Sequence, residues 1–234
     1  MNHILLSPAA RAEFIVTGPA ATVVVATLMT LSVDTGPGGD NDPVRPLAKI
    51  QVNTAASAKP ARVVPPVSAP LPKARFADLA TVTPTAKRTI YFSELSLDPS
   101  DPDAAVIFFI TVDGQPPVAF DPNNPPAIVT TEGAVEDWTI ENRADENHAF
   151  HIHQIHFLLM AQSGVAVTNP QYLDTVNIPY WTGTGPYPSV TVRMDFRGAV
   201  VGDFVYHCHI LEHEDGGMMA TIRVNPAPPR PVRR

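Results

Sequence analysis

Seven of the eight histidines of this 234-residue chain fall into two short runs, and its only cysteine lies in the second. The run at 207–219 carries His207-Cys208-His209, then His213, then Met218 and Met219; the run at 148–156 carries His148, His151, His153 and His156. A thiolate, several imidazoles and a thioether at this spacing form a donor set suited to copper rather than to other common biological metals.

Successive side chains of an extended strand face opposite ways, so His207 and His209 share one face and Cys208 takes the other. His151 and His153 repeat the same-face spacing. One tripeptide can therefore serve a thiolate site on one side and an imidazole site on the other, and two His-x-His pairs on neighbouring strands would converge four imidazoles on one polynuclear centre. The thiolate site needs two imidazoles and a weak axial sulfur to reach the trigonal geometry of a blue-copper centre. Cys208, His213 and Met218 lie on a strand end and the loop after it, where a bend at Gly216-Gly217 can return the thioether to the metal. His148 supplies the second imidazole. The backbone joins Cys208 to both His207 and His209, which gives an electron a covalent route between the two centres.

These residues resemble the third and fourth copper-binding motifs of the multicopper oxidases, the family of laccases, bilirubin oxidases and cuprous oxidases. The resemblance runs from about residue 88 to 224. It implies that His148, Cys208, His213 and Met218 are type 1 copper ligands with Met218 axial, that His151 is a type 2 ligand, and that His153, His207 and His209 serve the binuclear type 3 pair. It also implies two catalytic roles: Cys208 as the electron-passing thiolate, and Glu214 as the carboxylate that some members use to pass protons to the oxygen site. The family's trinuclear cluster uses eight histidines and two further His-x-His motifs in a first domain, and this sequence has neither motif. Copper is thus expected at a complete type 1 site and at a half-site of types 2 and 3. Residues 5–52 resemble the second half of the family's middle domain, which implies that Met1 lies inside a longer ancestral reading frame.

Several residues near these motifs are expected to play plainer parts. His156 falls outside the family pattern and reads as a polar loop or strand-edge residue. His3 has no assigned role. Met219 reads as core, since Met218 has the axial spacing. The same holds for Trp138 and Trp181, read as core and loop packing.

The elements that must hold these side chains are short strands. The chain contains 26 prolines, about twice the usual share, which favours loops and edge strands over long helices. Expected strands cover 88–92, 106–111, 127–131, 137–141, 156–160, 189–196, 203–206 and 219–224, with Gly, Pro and Asp turns between them. That rhythm argues for an all-β, antiparallel Greek-key β-sandwich, cupredoxin-like by the resemblance. Asp113-Gly114 signals a hairpin turn, and the alternation over 189–196 fits a strand with one wet and one buried face. Upstream, 12–17, 22–33 and 48–52 read as three strands, the apolar run 22–31 as a buried one. The expected layout is a partial second cupredoxin segment over 1–53, a Pro/Ala-rich linker over 54–86 and a C-terminal copper-binding domain over 87–228.

A formal charge of −7, with only a small basic tail at Arg230, Arg233 and Arg234, excludes the concentrated basic surface a nucleic-acid partner needs. A single cysteine excludes an intrachain disulfide. No apolar run reaches the roughly 18 residues of a membrane helix, and residues 1–10 lack the marks of a signal peptide; by resemblance the location is periplasmic or secreted. The expected function is the C-terminal part of an oxidase that takes electrons from phenolic or metal-ion reductants and delivers them to dioxygen. An upstream region or a second subunit would supply the absent His-x-His ligands. The alternative is a non-enzymatic blue-copper electron carrier or copper-binding protein, which needs only His148, Cys208, His213 and Met218.

Overall fold

The computed structural model describes residues 3–15, 20, 22–51, 78–101, 104–198 and 200–229. Most of the expected linker and the terminal arginines lie outside them. The chain divides into two compact units: Met1–Arg11, Thr35–Gly39 and Asp78–Arg234 make the first, Ala12–Asp34 and Asp40–Ala77 the second.

In the second unit β1 (Val25–Met29) pairs antiparallel with β2 (Pro46–Gln51). The run at 22–31 was expected to be buried, yet β1 is mostly exposed, and neighbouring Val24 is 71% exposed. A two-stranded ribbon has no second layer to cover its faces. Residues 12–15 of the strand expected at 12–17 carry no strand, and the remainder lies outside the described residues.

The first unit is a β-sandwich. Its strands are β3 (Ala86–Ser96), β4 (Val106–Val112), β5 (Ile128–Thr131), β6 (Val135–Asn142), β7 (His148–Ile152), β8 (Phe157–Gln162), β9 (Val165–Ala166), β10 (Tyr172–Leu173), β11 (Thr175–Ile178), β12 (Ser189–Asp195), β13 (Gly202–Cys208) and β14 (Met219–Asn225). One sheet has the order β10-β8-β12-β6-β3-β4, with β9 on β8; the other has β11-β7-β13-β14-β5. The chain changes sheets at every step from β4 to β8 and again at every step from β10 to β13, a Greek-key path.

Two pairings depart from the antiparallel expectation: β3 runs parallel to β6, and β14 parallel to β5. Each pair is joined through an excursion into the opposite sheet, which lets the strands meet in the same direction. The Asp113-Gly114 turn forms, with Gly114 at φ +83°, but the strands on either side of it enter different sheets and make no hairpin. The wet face expected on β12 is half covered, because Arg193 is buried against Asp137 at 2.7 Å and donates to the carbonyls of Leu79, Ala80 and Val82. Those carbonyls belong to a 3-10 turn, Leu79–Thr81, and to Val82 just after it, inside what reads in sequence as linker; Ala86 of that stretch already opens β3.

Between the sheets lie Phe92, Trp138, Phe150, Phe157, Phe196 and Tyr206, all fully buried. Trp138 therefore has the expected core position, and its indole N–H donates to Glu136 Oε2 at 2.8 Å. Trp181 packs in a loop against Tyr187, with ring centroids 4.9 Å apart. No helix among the described residues is long and apolar enough to cross a membrane.

Candidate metal centre

The pairing of β7 with β13 builds the site. His151 stands opposite His207 and Phe150 opposite Cys208, so the alternation of both strands sends imidazoles to one face and Cys208 to the other. Past β13 the chain enters α1 (Leu211–Asp215), a five-residue helix where sequence reading places a loop. Gly217 at φ +90° reverses the chain, a backbone state that glycine adopts without a Cβ penalty. The Met218 N–H then donates to His213 O at 2.8 Å, and Met218 O accepts from Cys208 N–H at 3.0 Å. Met218 is thereby tied to both neighbours, with its side chain fully buried.

On the inner face, His148 Nδ1 and His213 Nδ1 lie 3.1 Å apart, and Cys208 Sγ lies 3.7 and 3.5 Å from them. Metal–nitrogen bonds of ~2.0 Å and a metal–sulfur bond of ~2.3 Å in a trigonal plane need edges of roughly 3.5 Å, close to this triangle. All three residues are buried. Burial pushes the Cys208 thiol up to about 12 and pulls His148 down, against the pull of Glu94. A buried thiol that ionises reluctantly is a setting in which a bound cation supplies the compensating positive charge. The outer ring nitrogens lie near carboxyl groups, His148 Nε2 at 3.0 Å from Glu94 Oε1, without hydrogen-bond geometry, and His213 Nε2 at 2.9 Å from Glu146 Oε1; burial, with Glu94 nearby, raises Glu146 to about 9. Phe92 and Phe108 each pack a ring on a histidine at 4.7 Å, the first on His148 and the second on His213.

On the other face His151, His153, His207 and His209 gather, with neighbouring ring centroids 5.0–5.3 Å apart. His151 Nδ1 contacts Asp174 O at 2.8 Å, and His207 Nδ1 contacts Cys208 O at 2.8 Å. A carbonyl only accepts, so each Nδ1 carries the proton and each Nε2 keeps its lone pair. The Nε2 atoms of His153 and His207 meet at 3.2 Å. Burial brings His151 down to about 4, with the neighbouring imidazoles adding to the effect and the Asp174 carbonyl opposing it; burial also lowers His207. Both rings are therefore neutral near pH 7. Glu214 Oε2 approaches His207 Nδ1 at 3.4 Å and His209 Nδ1 at 3.7 Å.

The remaining candidates fall away from both clusters. His156 is exposed and 3.8 Å from Asp174 Oδ2, the polar edge position expected of it, and His3 is an exposed terminal residue. Met219 opens β14 opposite His207 and is half-buried. Glu94 and Glu146 are absent from the sequence-based candidates. Glu146 stands two residues before His148, a local hint; Glu94 comes from β3 and carries no sequence signal.

A sequence profile described as multicopper oxidase matches residues 96–228, more than half of the chain. The chain belongs to the multicopper oxidase family. Within that family, the multicopper oxidase mco of Staphylococcus aureus is 32% identical over 123 residues, 49% of this chain and 24% of that protein. A laccase of Haloferax volcanii is 34% identical over 92 residues, 37% of this chain and 15% of that protein. The chain thus spans a quarter or less of these curated relatives. Among solved structures, a Campylobacter jejuni multicopper oxidase described as a metallo-oxidase superposes with a TM-score of 0.59 at 21% identity, covering 86% of this chain and 41% of that one. A variant of the Aquifex aeolicus multicopper oxidase McoA gives 0.55 at 21% identity, covering 88% and 42%. These superpositions show the shared cupredoxin fold, and membership in the multicopper oxidases makes copper the metal the family implies for these donors.

Proposed function

We propose that this chain is the C-terminal copper-binding part of a multicopper oxidase that takes single electrons from phenolic or metal-ion reductants and delivers them to dioxygen. The observation that carries the reading is the split of one strand end: Cys208 joins the Nδ1 triangle on one face, while His207 and His209 join His151 and His153 on the other. In this reading His148, Cys208, His213 and the thioether of Met218 would hold a type 1 copper, His151 would be a type 2 ligand, and His153, His207 and His209 would serve the type 3 pair. When bound, copper supplies one-electron redox chemistry at the first site and dioxygen reduction at the second.

The protein's own part is to orient, insulate and connect. Phe92 and Phe108 exclude water from the inner triangle, and the Cys208 peptide links lead directly to His207 and His209. Glu214, within reach of both of those rings, is placed to hold a proton beside the oxygen-reducing site. The four-imidazole group is half of what the family uses, so further ligands come from residues beyond this chain or from another subunit. The setting is periplasmic or secreted. A simple electron carrier would leave the four-imidazole face without a role.

Copper loading tests the proposal. The chain is expected to bind one copper with an intense visible thiolate band, absent in Cys208→Ser, and to consume little oxygen with a phenol as reductant. No visible band in the unmodified protein would sink the type 1 assignment, and rapid oxygen turnover by pure monomer would sink the half-site assignment.

A further inference from the structure

The ladder between β7 and β13 ends at Phe150 and Cys208. The next backbone bond outward runs from His209 N–H to Ala149 O at 2.8 Å, and His148 lies beyond it. On its other side His148 stands opposite Ile178 of β11, and before it comes the turn 143–147 that joins β6 to β7. The course of that turn decides which way His148 faces, because a slip of one residue sends a strand's side chains to the opposite face.

Two separate pieces of chain hold the turn. The first is Asn142 at the end of β6, a fully buried residue. Its Oδ1 accepts from Ala144 N–H at 2.9 Å, and its Nδ2 donates to Glu146 O at 2.7 Å, Pro179 O at 3.0 Å and Ile178 O at 3.3 Å. One amide thus ties both ends of the turn to the residue opposite His148. The second piece is the strap Thr35–Gly39, which belongs to the same compact unit as the sandwich. Asn147 N–H donates to Thr35 O at 2.8 Å and Gly38 N–H to Asp145 O at 3.4 Å. Gly36 sits at φ +98°, and a Cβ on it would lie 2.1 Å from Asp145 O and 2.7 Å from Tyr180 Cγ; on Gly38 it would lie 2.7 Å from Asp145 Oδ1 and 3.7 Å from Glu146 Cβ. The strap therefore needs bare backbone at two positions to lie this close. Tyr180 is itself bound to the turn, its N–H donating to Asn147 Oδ1 at 2.8 Å.

We propose that Asn142, Gly36 and Gly38 are positioning residues of the thiolate site: they fix the 143–147 turn in the metal-free protein, so that β7 begins with His148 turned toward Cys208. The effect on copper rests on the type 1 reading given above, whereas the fixed turn does not. A ligand ordered in advance spares binding the entropy of ordering it.

Two measurements test this separately. In metal-free protein, 15N relaxation should give residues 144–148 the order of the strands, an order parameter of about 0.85. Values below about 0.6 that rise when copper is added would overturn the fixed turn without any variant. The second measurement compares two glycines with matched backbone and different surroundings. A Cβ on Gly36 meets three atoms within 2.9 Å, whereas Gly133, at φ +96° between β5 and β6, has nothing within 4 Å. Alanine carries the same left-handed strain at either place. Gly36→Ala should weaken copper binding roughly tenfold, as loss of support behind a ligand does, and shift the visible band. Gly133→Ala should do neither. Equal effects from the two variants, or none from Gly36→Ala, would overturn the positioning role. If Gly36→Ala fails to fold, Gly38→Ala, whose nearest contact is a side-chain oxygen, carries the same expectation and the same power to refute. Copper bound without the visible band would reject the type 1 reading, while the affinity contrast and the relaxation result would still decide the positioning role.

Discussion

Gly216 and Phe108 approach so closely that a Cβ on Gly216 would lie 2.5 Å from Phe108 Cδ2. Phe108 in turn stacks on His213 at 4.7 Å, so the glycine clears the space that lets the phenyl ring lie flat on a candidate ligand. Gly216 has a helical φ of −74°, and alanine is barred by crowding rather than by backbone strain. Gly216→Ala is expected to cost about 1–3 kcal/mol, the usual range for overpacking, and to weaken copper binding while the sandwich persists. Far-UV circular dichroism with a copper titration checks this. Unchanged affinity would show that Phe108 does not hold His213.

Met218 and Met219 are neighbours with different surroundings, one fully buried between Cys208 and His213 and one half-buried at the start of β14. Leucine fills nearly the same volume, so each Met→Leu change should cost under about 1.5 kcal/mol. On the proposed assignment only Met218→Leu should raise the copper reduction potential, because it alone would remove the weak thioether ligand. Equal shifts from both variants, read by redox titration of the visible band, would refute the assignment of Met218.

Glu136 is almost wholly buried and accepts from Arg88, Thr130 and Trp138 at 2.6–3.0 Å. Burial pushes its carboxyl up, but the hydrogen bonds, led by Arg88, outweigh it and hold the group below the usual carboxylate range. A carboxylate lowered on folding contributes stability above its unfolded value of about 4.3, and that contribution is lost as pH falls through the folded value. Glu136→Gln should therefore cost about 2–3 kcal/mol at neutral pH. In thermal melts the gap between the two proteins should close below about pH 4; a constant gap would mean the charge is not what matters.

Gln154 follows His153 at φ +69° and is exposed. The left-handed conformation costs a residue with a side chain about 1–2 kcal/mol, of which glycine returns part through its looser unfolded state. Gln154→Gly is expected to stabilise the fold by about 0.5–1 kcal/mol in denaturant melts. Destabilisation would reveal a role for the amide side chain.

The grouping of the candidate ligands was legible in sequence to the extent that strand geometry is rigid. Two-residue alternation fixes which side chains share a face, so the opposite placement of Cys208 and the His207–His209 pair could be read directly, as could strands β4, β6, β12 and β14. What could not be read is set by contacts distant in sequence. The parallel pairing of β3 with β6 depends on the path between the sheets. The two-residue strands β9 and β10 are too short to show any period, and α1 spans five residues that close around His213 only because Met218 returns to it. Glu94 lies 54 positions before His148 in sequence and meets it only when both sheets are complete.

His148 and Cys208 are separated by 60 positions and are brought together where β7 and β13 pair over three residues. Such non-local pairing is slow to form. Until then the chain offers the fragment from His207 to His213, which already contains a thiol and three imidazoles within seven residues. An ion captured there favours the unfolded chain, since binding to the unfolded state offsets binding to the native one. On the proposed reading the order of events thus matters: copper that arrives after the sheets close would complete the site, and copper that arrives during folding would compete with the fold that makes it.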